Sequence, residues 1–257
     1  MSATIDDLFR LRNKTILVTG GTRGIGQAIS LRLARAGATV IANYLRDQQA
    51  AEELTAIATQ EGLPISLCRA DLTSENGLEQ LDRSLQEVDP HLSGVVYCAA
   101  TGVHRRLEEL TDRHFDWTFS LNVRAFFKLV KLIRGRLSLG SSIVVVSSWG
   151  ATRALPYYSL VGSSKGALES LARHMAAELA PSGIRVNILT AGAVLTDAWK
   201  AIPDGETHIA RIIERTPAGR LVKAEEVAYA AQFLCSDAAT GIVGHTLIVD
   251  GGLGIMA

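Results

Sequence analysis

A glycine-rich turn near the start of the chain has the residue types and spacing needed to bind phosphate. Residues 15–19 are an apolar run rich in β-branched side chains, and Thr-Gly-Gly-Thr-Arg-Gly-Ile-Gly follows over residues 19–26. Glycines permit a tight turn and let backbone N–H groups approach a pyrophosphate at the positive end of the following helix. The turn predicts a dinucleotide site; the alternative is a turn that only packs a helix against a strand.

The end of the second predicted strand indicates which dinucleotide binds. A site that prefers NAD places Asp or Glu there to accept a hydrogen bond from the ribose 2′-hydroxyl. Here Ala42, Asn43 and Tyr44 stand at that place. We expect the guanidinium groups of Arg23 and Arg46 to reach a 2′-phosphate and bind it through charge-assisted hydrogen bonds. The pattern predicts NADPH, with the alternative that Arg46 is a solvated residue at a helix start.

Composition and charge argue against several other classes of protein. The 257 residues carry 26 basic and 26 acidic side chains, a balance that argues against a nucleic-acid partner. Three widely spaced cysteines, Cys68, Cys98 and Cys235, and histidines without metal spacing predict no metal site, no disulfide framework and a cytoplasmic location. Residues 1–14 contain no apolar run and no stretch reaches about 18 apolar residues, so we expect neither a targeting segment nor a membrane partner.

Short apolar runs rich in β-branched residues alternate with longer segments of helical periodicity. The runs lack the polar alternation of a half-exposed sheet, which predicts parallel strands buried on both faces. They cover residues 15–19, 39–42, 65–67, 95–97, 143–146, 186–189 and 247–249. The helical segments include residues 24–36, 48–60, 75–88, 111–137 and 157–180. No linker or repeat interrupts the chain, so we expect one domain over residues 1–257 with a Rossmann-type, doubly wound α/β fold.

On these motifs the chain resembles the short-chain dehydrogenase/reductase family over nearly its whole length. The resemblance rests on the turn at residues 19–26, Asp71-Leu72, Leu121-Asn122-Val123, Ser147-Ser148, Lys165 and the closing segment at residues 247–252. It implies a nicotinamide cofactor held at several strand ends. The cofactor-binding residues implied by the turn, the arginines and the resemblance together are Gly20, Thr22, Arg23, Gly24, Ile25, Gly26, Asn43, Tyr44, Arg46, Asp71, Leu72, Ala99, Ala100, Lys165, Gly192, Val194 and Thr196.

The chain departs from the family's usual pattern at three places, one of which is the turn after the sixth strand, where the usual Pro-Gly is Ala191-Gly192. After the fourth strand, the usual Asn-Asn-Ala-Gly is Tyr-Cys-Ala-Ala at residues 97–100. The usual signature is Tyr-x-x-x-Lys, but Val161, which has no ionisable proton, stands four residues before Lys165. Tyr158 stands seven residues before this lysine, a spacing that resembles the branch that reduces enoyl thioesters. Many members of that branch carry a second tyrosine ten residues before the first. Here Ser148 stands at that place, and in this respect the chain resembles the NADPH-dependent members.

The displaced tyrosine has a chemical interpretation. In carbonyl reduction, the oxygen that needs a proton is bonded to the carbon that takes the hydride. In reduction of an enoyl thioester, charge develops on the thioester oxygen, three bonds away. On a helix, Tyr158 and a tyrosine at position 161 both project near the face of Lys165, but about 10.5 Å and about 6 Å away along the axis. We therefore expect Tyr158 on the helix over residues 157–180; the alternative is that it precedes the helix.

The resemblance implies four catalytic residues, Tyr158, Lys165, Ser148 and Asn122. Lys165 is expected to hold the ribose hydroxyls and to lower the pKa of the Tyr158 phenol, because a nearby ammonium favours the phenolate. The Tyr158 hydroxyl would stabilise the enolate, Ser148 would bond to substrate or to Tyr158, and Asn122 would order water toward Lys165. The alternatives are packing for Tyr158, Tyr157 as the donor, a polar strand end for Ser148 and a helix kink for Asn122.

These residues predict NADPH-dependent reduction of the carbon–carbon double bond of an enoyl thioester, carried by acyl carrier protein or coenzyme A, as in fatty-acid or polyketide-type biosynthesis. One alternative is a ketone or 3-oxoacyl reductase, against which Val161 argues. The other is a regulatory nucleotide-binding protein without catalysis, against which the retained Asn122, Tyr158 and Lys165 argue. We expect residues 197–215 to form a loop over the substrate. The resemblance implies a homotetramer that pairs the helices at 111–137 and 157–180 and the C-terminal strand.

Overall fold

A seven-stranded parallel sheet forms the centre of the protein in the computed structural model, which describes residues 5–195 and 205–256. The strands are β1 (Thr15–Thr19), β2 (Thr39–Tyr44), β3 (Ile65–Arg69), β4 (Leu92–Tyr97), β5 (Leu137–Ser148), β6 (Arg185–Ala191) and β7 (Thr246–Val249). Their order across the sheet is β3-β2-β1-β4-β5-β6-β7. The predicted doubly wound α/β fold is confirmed.

Helices cover both faces of the sheet. They are α1 (Ile5–Phe9), α2 (Gly24–Arg35), α3 (Gln48–Glu61), α4 (Glu75–Val88), α5 (Asp112–Phe119), α6 (Phe126–Ile133), α7 (Ser159–Leu179), α8 (Gly205–Arg215) and α9 (Ala224–Cys235). Two large apolar clusters fill the layers between helices and sheet. Within the described ranges, none of these helices combines the length and the apolar character needed to cross a membrane.

The central strands are buried on both faces, as their composition predicts. In β1, Leu17 packs in one apolar layer while Ile16 and Val18 pack in the other, since successive side chains point to opposite faces. The two edge strands, β3 and β7, are partly exposed because each has a neighbouring strand on one side only. The prediction of burial on both faces is therefore wrong for these two strands.

The helix predicted over residues 111–137 is divided in the structure. The segment Ser120–Ala125 between α5 and α6 is a π-helical turn, and the chain enters β5 at Leu137. A π turn holds an extra residue and commonly lies at a functional site. The buried hydroxyl of Tyr97 donates a hydrogen bond to the carbonyl of Leu121 in this segment. The division thus depends on a contact between β4 and the helix, which helical periodicity does not reveal.

The sheet reverses its winding direction between β1 and β4. β2 and β3 lie on one side of β1, and β4 to β7 lie on the other. Loops that leave the carboxyl ends of β1 and β4 therefore diverge and open a crevice, the usual ligand site in this architecture. The Thr19 hydroxyl accepts hydrogen bonds from the backbone N–H groups of Cys98 and Ala99, both at 3.1 Å, and fixes the two loops relative to each other.

Candidate active site

The glycine-rich turn is a close-packed backbone cradle at the mouth of this crevice. Gly20 and Gly24 have φ values of 60° and 54°, a conformation that disfavours side chains. A Cβ at Gly20 would lie 3.0 Å from the Ala99 Cα, and a Cβ at Gly26 would lie 2.0 Å from the Gly20 carbonyl oxygen. Thr22 is buried and Ile25 is partly buried. The backbone therefore lies open to a pyrophosphate at the start of α2, and the turn fits a dinucleotide.

Of the residues predicted to bind the adenosine part of the cofactor, the two arginines are exposed and others make hydrogen bonds within the protein. Arg23 and Arg46 are exposed, and an Arg23 Nη1 lies 3.7 Å from a carboxylate oxygen of Asp47, the residue that caps α3. The Tyr44 hydroxyl donates to Gln48 at 2.9 Å. Both arginines lie near the end of β2, and none of residues 42–44 carries a carboxylate.

Asn43 lies in the same strand end, but its side chain is turned inward. The side chain is buried, and its Nδ2 donates to the carbonyl oxygens of Cys68 at 3.2 Å and Ala70 at 3.0 Å. It joins β2 to the chain beyond β3. Its carbonyl accepts from the N–H of Gly21 at 2.9 Å. Asn43 therefore supports the glycine-rich turn through its hydrogen bonds.

The remaining cofactor candidates surround the crevice at the other strand ends. Asp71 accepts hydrogen bonds from the N–H and hydroxyl of Thr73, and Leu72 beside it is buried. Gly192 lies so near the C-terminal segment that a Cβ would be 2.7 Å from the Asp250 Cα. The other predicted positions comprise Ala99 and Ala100 at the end of β4, Val194, which is buried and pairs with Val222, and Thr196, which lies outside the described residues.

Tyr158 caps the amino end of α7 and lies outside the helix. Its φ of −118° and ψ of 12° are not helical, and Tyr157 before it has a φ of 57°. The expectation that Tyr158 lies on the helix is therefore wrong, and the alternative that it precedes the helix is the one observed. The axial distances worked out for a helix do not apply. The hydroxyl oxygen of Tyr158 lies 3.4 Å from the Oγ of Ser148, at the end of β5. The predicted pair of Tyr158 and Ser148 is thus brought together by the chain turn.

Two glycines shape the place where the Tyr158 ring lies. A Cβ at Gly150 would be 2.4 Å from the Cε1 of the ring, and a Cβ at Gly162 would be 3.4 Å from its Cδ1. The imidazole of His104 packs on the ring with centroids 5.4 Å apart. We call this place the tyrosine slot, formed by Gly150, Gly162 and His104. Sequence analysis missed the slot, although glycines on both sides of a tyrosine were its visible signal.

The position of the family's usual tyrosine is closed. Val161 is buried, and a Cβ on Gly102, in the loop after β4, would lie 2.2 Å from its Cγ2. The same position at Gly102 would lie 3.6 Å from the Cγ2 of Thr118 in α5. The loop after β4 and α5 therefore lie close around Val161 and leave it buried.

Lys165 lies at the back of the site, in α7. It is 6% exposed, and its Nζ donates to the carbonyl oxygen of Val146 in β5 at 2.7 Å. Burial lowers the pKa of Lys165 to about 8, and interactions with Cys98 and Glu169 partly offset the effect. Burial raises the pKa of Tyr158, and its hydrogen bond with Ser148 opposes the rise. The predicted lowering of the pKa of this phenol is therefore wrong in this structure, because its loss of solvent outweighs the other effects.

Asn122 lies in the π-helical turn and is fully buried. Its Oδ1 accepts from the N–H of Thr101, and its Nδ2 donates to the Thr101 carbonyl and to the Ser164 Oγ, at 2.8 to 2.9 Å. Asn122 thus joins the loop after β4 to α7 at the residue before Lys165. These contacts support the site; they do not include Lys165, and the predicted water chain remains a prediction.

The predicted loop at residues 197–215 lies only partly within the described structure. Residues 205–215 form α8, so the prediction of a loop is wrong for that part. Its side chains alternate apolar and charged in a helical pattern, and Ile209 and Ile213 face a cavity of about 480 Å³ shared with Leu195 and Leu221. Residues 197–204 lie outside the described residues.

A nucleotide cradle at a topological switch point, beside a tyrosine and a buried lysine, defines a Rossmann-type oxidoreductase site. The family model described as Enoyl-(Acyl carrier protein) reductase matches residues 20–254. The chain belongs to the short-chain dehydrogenase/reductase family, and the predicted membership is confirmed.

Two curated relatives and one solved structure illustrate the similarity. The chain is 34% identical to 1-cyclohexenylcarbonyl-CoA reductase of Streptomyces collinus over 248 residues, covering 96% of this chain and 89% of the relative. It is 32% identical to the enoyl-acyl-carrier-protein reductase (NADH) FabI of Escherichia coli (strain K12), with 96% of each covered. A short-chain dehydrogenase from Burkholderia cenocepacia J2315 in complex with NADP superposes with a TM-score of 0.86 at 32% identity, covering 95% of this chain and 99% of that one.

Proposed function

We propose that the protein reduces the carbon–carbon double bond of an enoyl thioester with NADPH. One observation carries the proposal: the hydroxyl of the site belongs to Tyr158 in the tyrosine slot, while the usual tyrosine position is filled by the enclosed Val161. A donor displaced from the lysine suits a substrate whose developing negative charge lies three bonds from the carbon that accepts hydride. The names of both curated relatives support the same reaction class.

The chain's residues act on the thioester carbonyl. Bound NADPH supplies the hydride. Tyr158 remains protonated at neutral pH, because burial raises its pKa, and its hydroxyl donates a hydrogen bond to the thioester oxygen as that oxygen gains charge. The enolate formed by hydride addition at C3 then takes a proton from water at C2, which gives the saturated thioester. Ser148 holds the Tyr158 hydroxyl in place. Lys165, whose pKa burial lowers to about 8, is largely protonated at neutral pH and donates to the ribose hydroxyls.

The preference for NADPH rests on the end of β2. Ala42 and Tyr44 present no carboxylate to a 2′-phosphate, and the buried Asn43 is held by backbone carbonyls. Arg23 and Arg46 are exposed beside this strand end, so their guanidinium groups are accessible to a phosphate. The relatives differ in their nucleotide: FabI is named for NADH, and the Burkholderia structure contains NADP. The two arginines therefore support the choice.

We propose that the acyl carrier is either coenzyme A or an acyl carrier protein. One relative is named for a coenzyme A ester and another for an acyl-carrier-protein ester, and both carriers present the acyl group through the same thioester. A role in fatty-acid or polyketide-type biosynthesis follows from that chemistry. We also propose a cytoplasmic location, supported by three free cysteine thiols, which a reducing compartment preserves.

We further propose that the protein is a homotetramer. Large apolar side chains are exposed along α5 and α6, where Phe115, Trp117 and Phe127 are each more than two-fifths exposed. The C-terminal part also exposes Ile248 and Ile255. Such apolar surfaces favour burial between subunits, and a closed symmetric assembly would use each of them.

Parallel assays test the proposed reaction. Purified protein is mixed with NADPH and either crotonyl or acetoacetyl thioester, each on coenzyme A and on acyl carrier protein, and the loss of NADPH absorbance is followed. We expect turnover with the crotonyl thioester and little with the acetoacetyl thioester. Turnover with the ketone alone would replace this proposal by a 3-oxoacyl reductase, and no turnover with either would favour a protein that only binds nucleotide.

A further inference from the structure

A buried carboxylate in α7 has no part in the reaction described above. Glu169 is 4% exposed and lies one helical turn beyond Lys165. Its Oε1 accepts hydrogen bonds from the Ser147 hydroxyl at 2.6 Å and from the Thr190 hydroxyl at 3.4 Å. Its Oε2 lies 3.5 Å from a nitrogen of the exposed Arg173. Burial of a carboxylate is costly without such partners, so this arrangement requires a specific set of contacts.

The last three residues of β5, 146–148, make successive contacts with the region of α7. The Val146 carbonyl accepts a hydrogen bond from the Lys165 Nζ at 2.7 Å. Ser147 donates its hydroxyl to Glu169, and the Ser148 hydroxyl oxygen lies 3.4 Å from that of Tyr158. The contact with Glu169 is the middle one of the three. It therefore fixes α7 on the strand end at the level of both proposed catalytic side chains.

We propose that Glu169 is a positioning residue: it anchors α7 on the end of β5 and places a carboxyl group one helical turn from the Lys165 side chain. The inference rests on the proposed function in one respect, that Lys165 binds the ribose of the cofactor. It holds equally for an enoyl and for a ketone substrate.

The charges around Lys165 explain why a buried carboxylate is needed. Burial lowers the pKa of this amine to about 8, and the titratable groups that oppose the fall are the Cys98 thiol, at the end of β4, and Glu169. Burial raises the pKa of Cys98 to about 11, so the thiol carries no charge at neutral pH. The interaction that favours the ammonium then comes from the Glu169 side chain. Without it, Lys165 would lose its proton at a lower pH.

The pH dependence of cofactor binding tests the proposal. NADPH is titrated by fluorescence at steps from about pH 6 to about pH 10 with wild type, Glu169→Gln and Glu178→Gln. Binding should weaken as pH rises through the pKa of Lys165, because the ammonium donates to the ribose. Glu169→Gln keeps an oxygen that accepts a hydrogen bond from Ser147 but cannot carry a charge. The midpoint of the loss of NADPH binding with rising pH should therefore fall by about one pH unit. Glu178 is exposed on the same helix, and its variant should keep the wild-type midpoint.

A second variant moves the midpoint in the opposite direction. Arg173→Gln removes the cation that faces Glu169, so the midpoint should rise by about a few tenths of a pH unit; its exposure makes the effect small. This surface variant decides the matter if Glu169→Gln does not fold. An unchanged midpoint in Glu169→Gln, or binding weakened by the same factor at every pH, would overturn the proposal. In its absence, an unchanged midpoint in Arg173→Gln would do so. Because cofactor binding is measured, a wrong choice of substrate would leave the result unaffected.

Discussion

At the scale of single residues, the position of one hydroxyl separates the proposed reaction from that of a ketone reductase. Tyr158 is set by a non-helical cap and by the tyrosine slot, with Ser148 at its hydroxyl. Val161, in the usual tyrosine position, is enclosed by the loop after β4. In the proposed reaction, local backbone geometry before α7 thus places the hydrogen-bond donor, while Lys165 lies on the helix.

Removal of the Tyr158 hydroxyl should abolish most turnover. Tyr158→Phe keeps the ring in the slot but leaves the thioester oxygen without its donor, so we expect kcat with a crotonyl thioester to fall about 10²- to 10⁴-fold. The Kd for NADPH should barely change, because Lys165 still binds the ribose. Steady-state kinetics and fluorescence titration measure the two quantities. Tyr157→Phe is the matched control, and its inactivity in place of Tyr158→Phe would show that the donor is misassigned.

The two arginines near β2 should determine the choice of nucleotide. Arg46→Ala removes a charge-assisted contact with the 2′-phosphate, so the Kd for NADPH should rise about tenfold, equal to about 1.4 kcal/mol, while the Kd for NADH stays constant. Arg23→Ala should act in the same direction. Fluorescence titration of both nucleotides measures the effect, with Arg134→Ala, before β5, as the control. Equal wild-type affinities for NADPH and NADH would refute the assignment.

At the scale of elements, the sequence predicted the five inner strands well, because each contains a buried run rich in β-branched residues; it predicted the positions of β3 and β7 but not their partial exposure. The helix predicted over residues 24–36 is observed as α2, Gly24–Arg35, and Gly37 just beyond it has a φ of 104°. The failures lie where a tertiary contact overrides periodicity. Tyr97 holds the π turn through Leu121, and Tyr158 is turned out of α7 toward Ser148. No local pattern encodes either contact, so helix boundaries and the pKa of the phenol could not be predicted.

The tyrosine slot should tolerate no added side chain. Gly150→Ala places a Cβ where the Tyr158 ring now lies, so the ring must move and kcat should fall about 10²-fold, as for a misplaced catalytic group. Gly135→Ala is the control, since a Cβ there meets nothing within 4 Å. Thermal unfolding would confirm that both variants are folded, and NADPH binding should persist in both. Full activity in Gly150→Ala would contradict the role given to the slot.

At the scale of the whole molecule, the sheet brings distant segments to one edge. The cradle after β1, the loop after β4, Ser148 at the end of β5 and Gly192 after β6 all lie at carboxyl strand ends, since every strand is parallel. The glycine-rich turn and the Tyr158–Ser148 pair therefore lie at the same edge of the sheet. Apolar side chains of α5 and α6 are exposed in the single chain, and the proposed assembly would bury them.

The assembly should dissociate when these apolar side chains are made acidic. Light scattering of the wild type should give about four times the chain mass of 27.5 kDa. Phe127→Asp should lower the mass, because it places a charge in the proposed interface, whereas Leu139→Asp, at the exposed start of β5, should not. A wild-type monomer at micromolar concentration would contradict the tetramer.

The position of the label in the product formed with deuterium-labelled NADPH distinguishes enoyl reduction from ketone reduction. Protein, crotonyl thioester and NADPH labelled at the transferred hydrogen are incubated, and the acyl product is analysed by mass spectrometry and NMR. We predict a saturated butyryl thioester with deuterium at C3, and no such product from Tyr158→Phe at comparable times. Recovery of unchanged crotonyl thioester, together with conversion of acetoacetyl thioester to labelled 3-hydroxybutyryl thioester, would contradict the account.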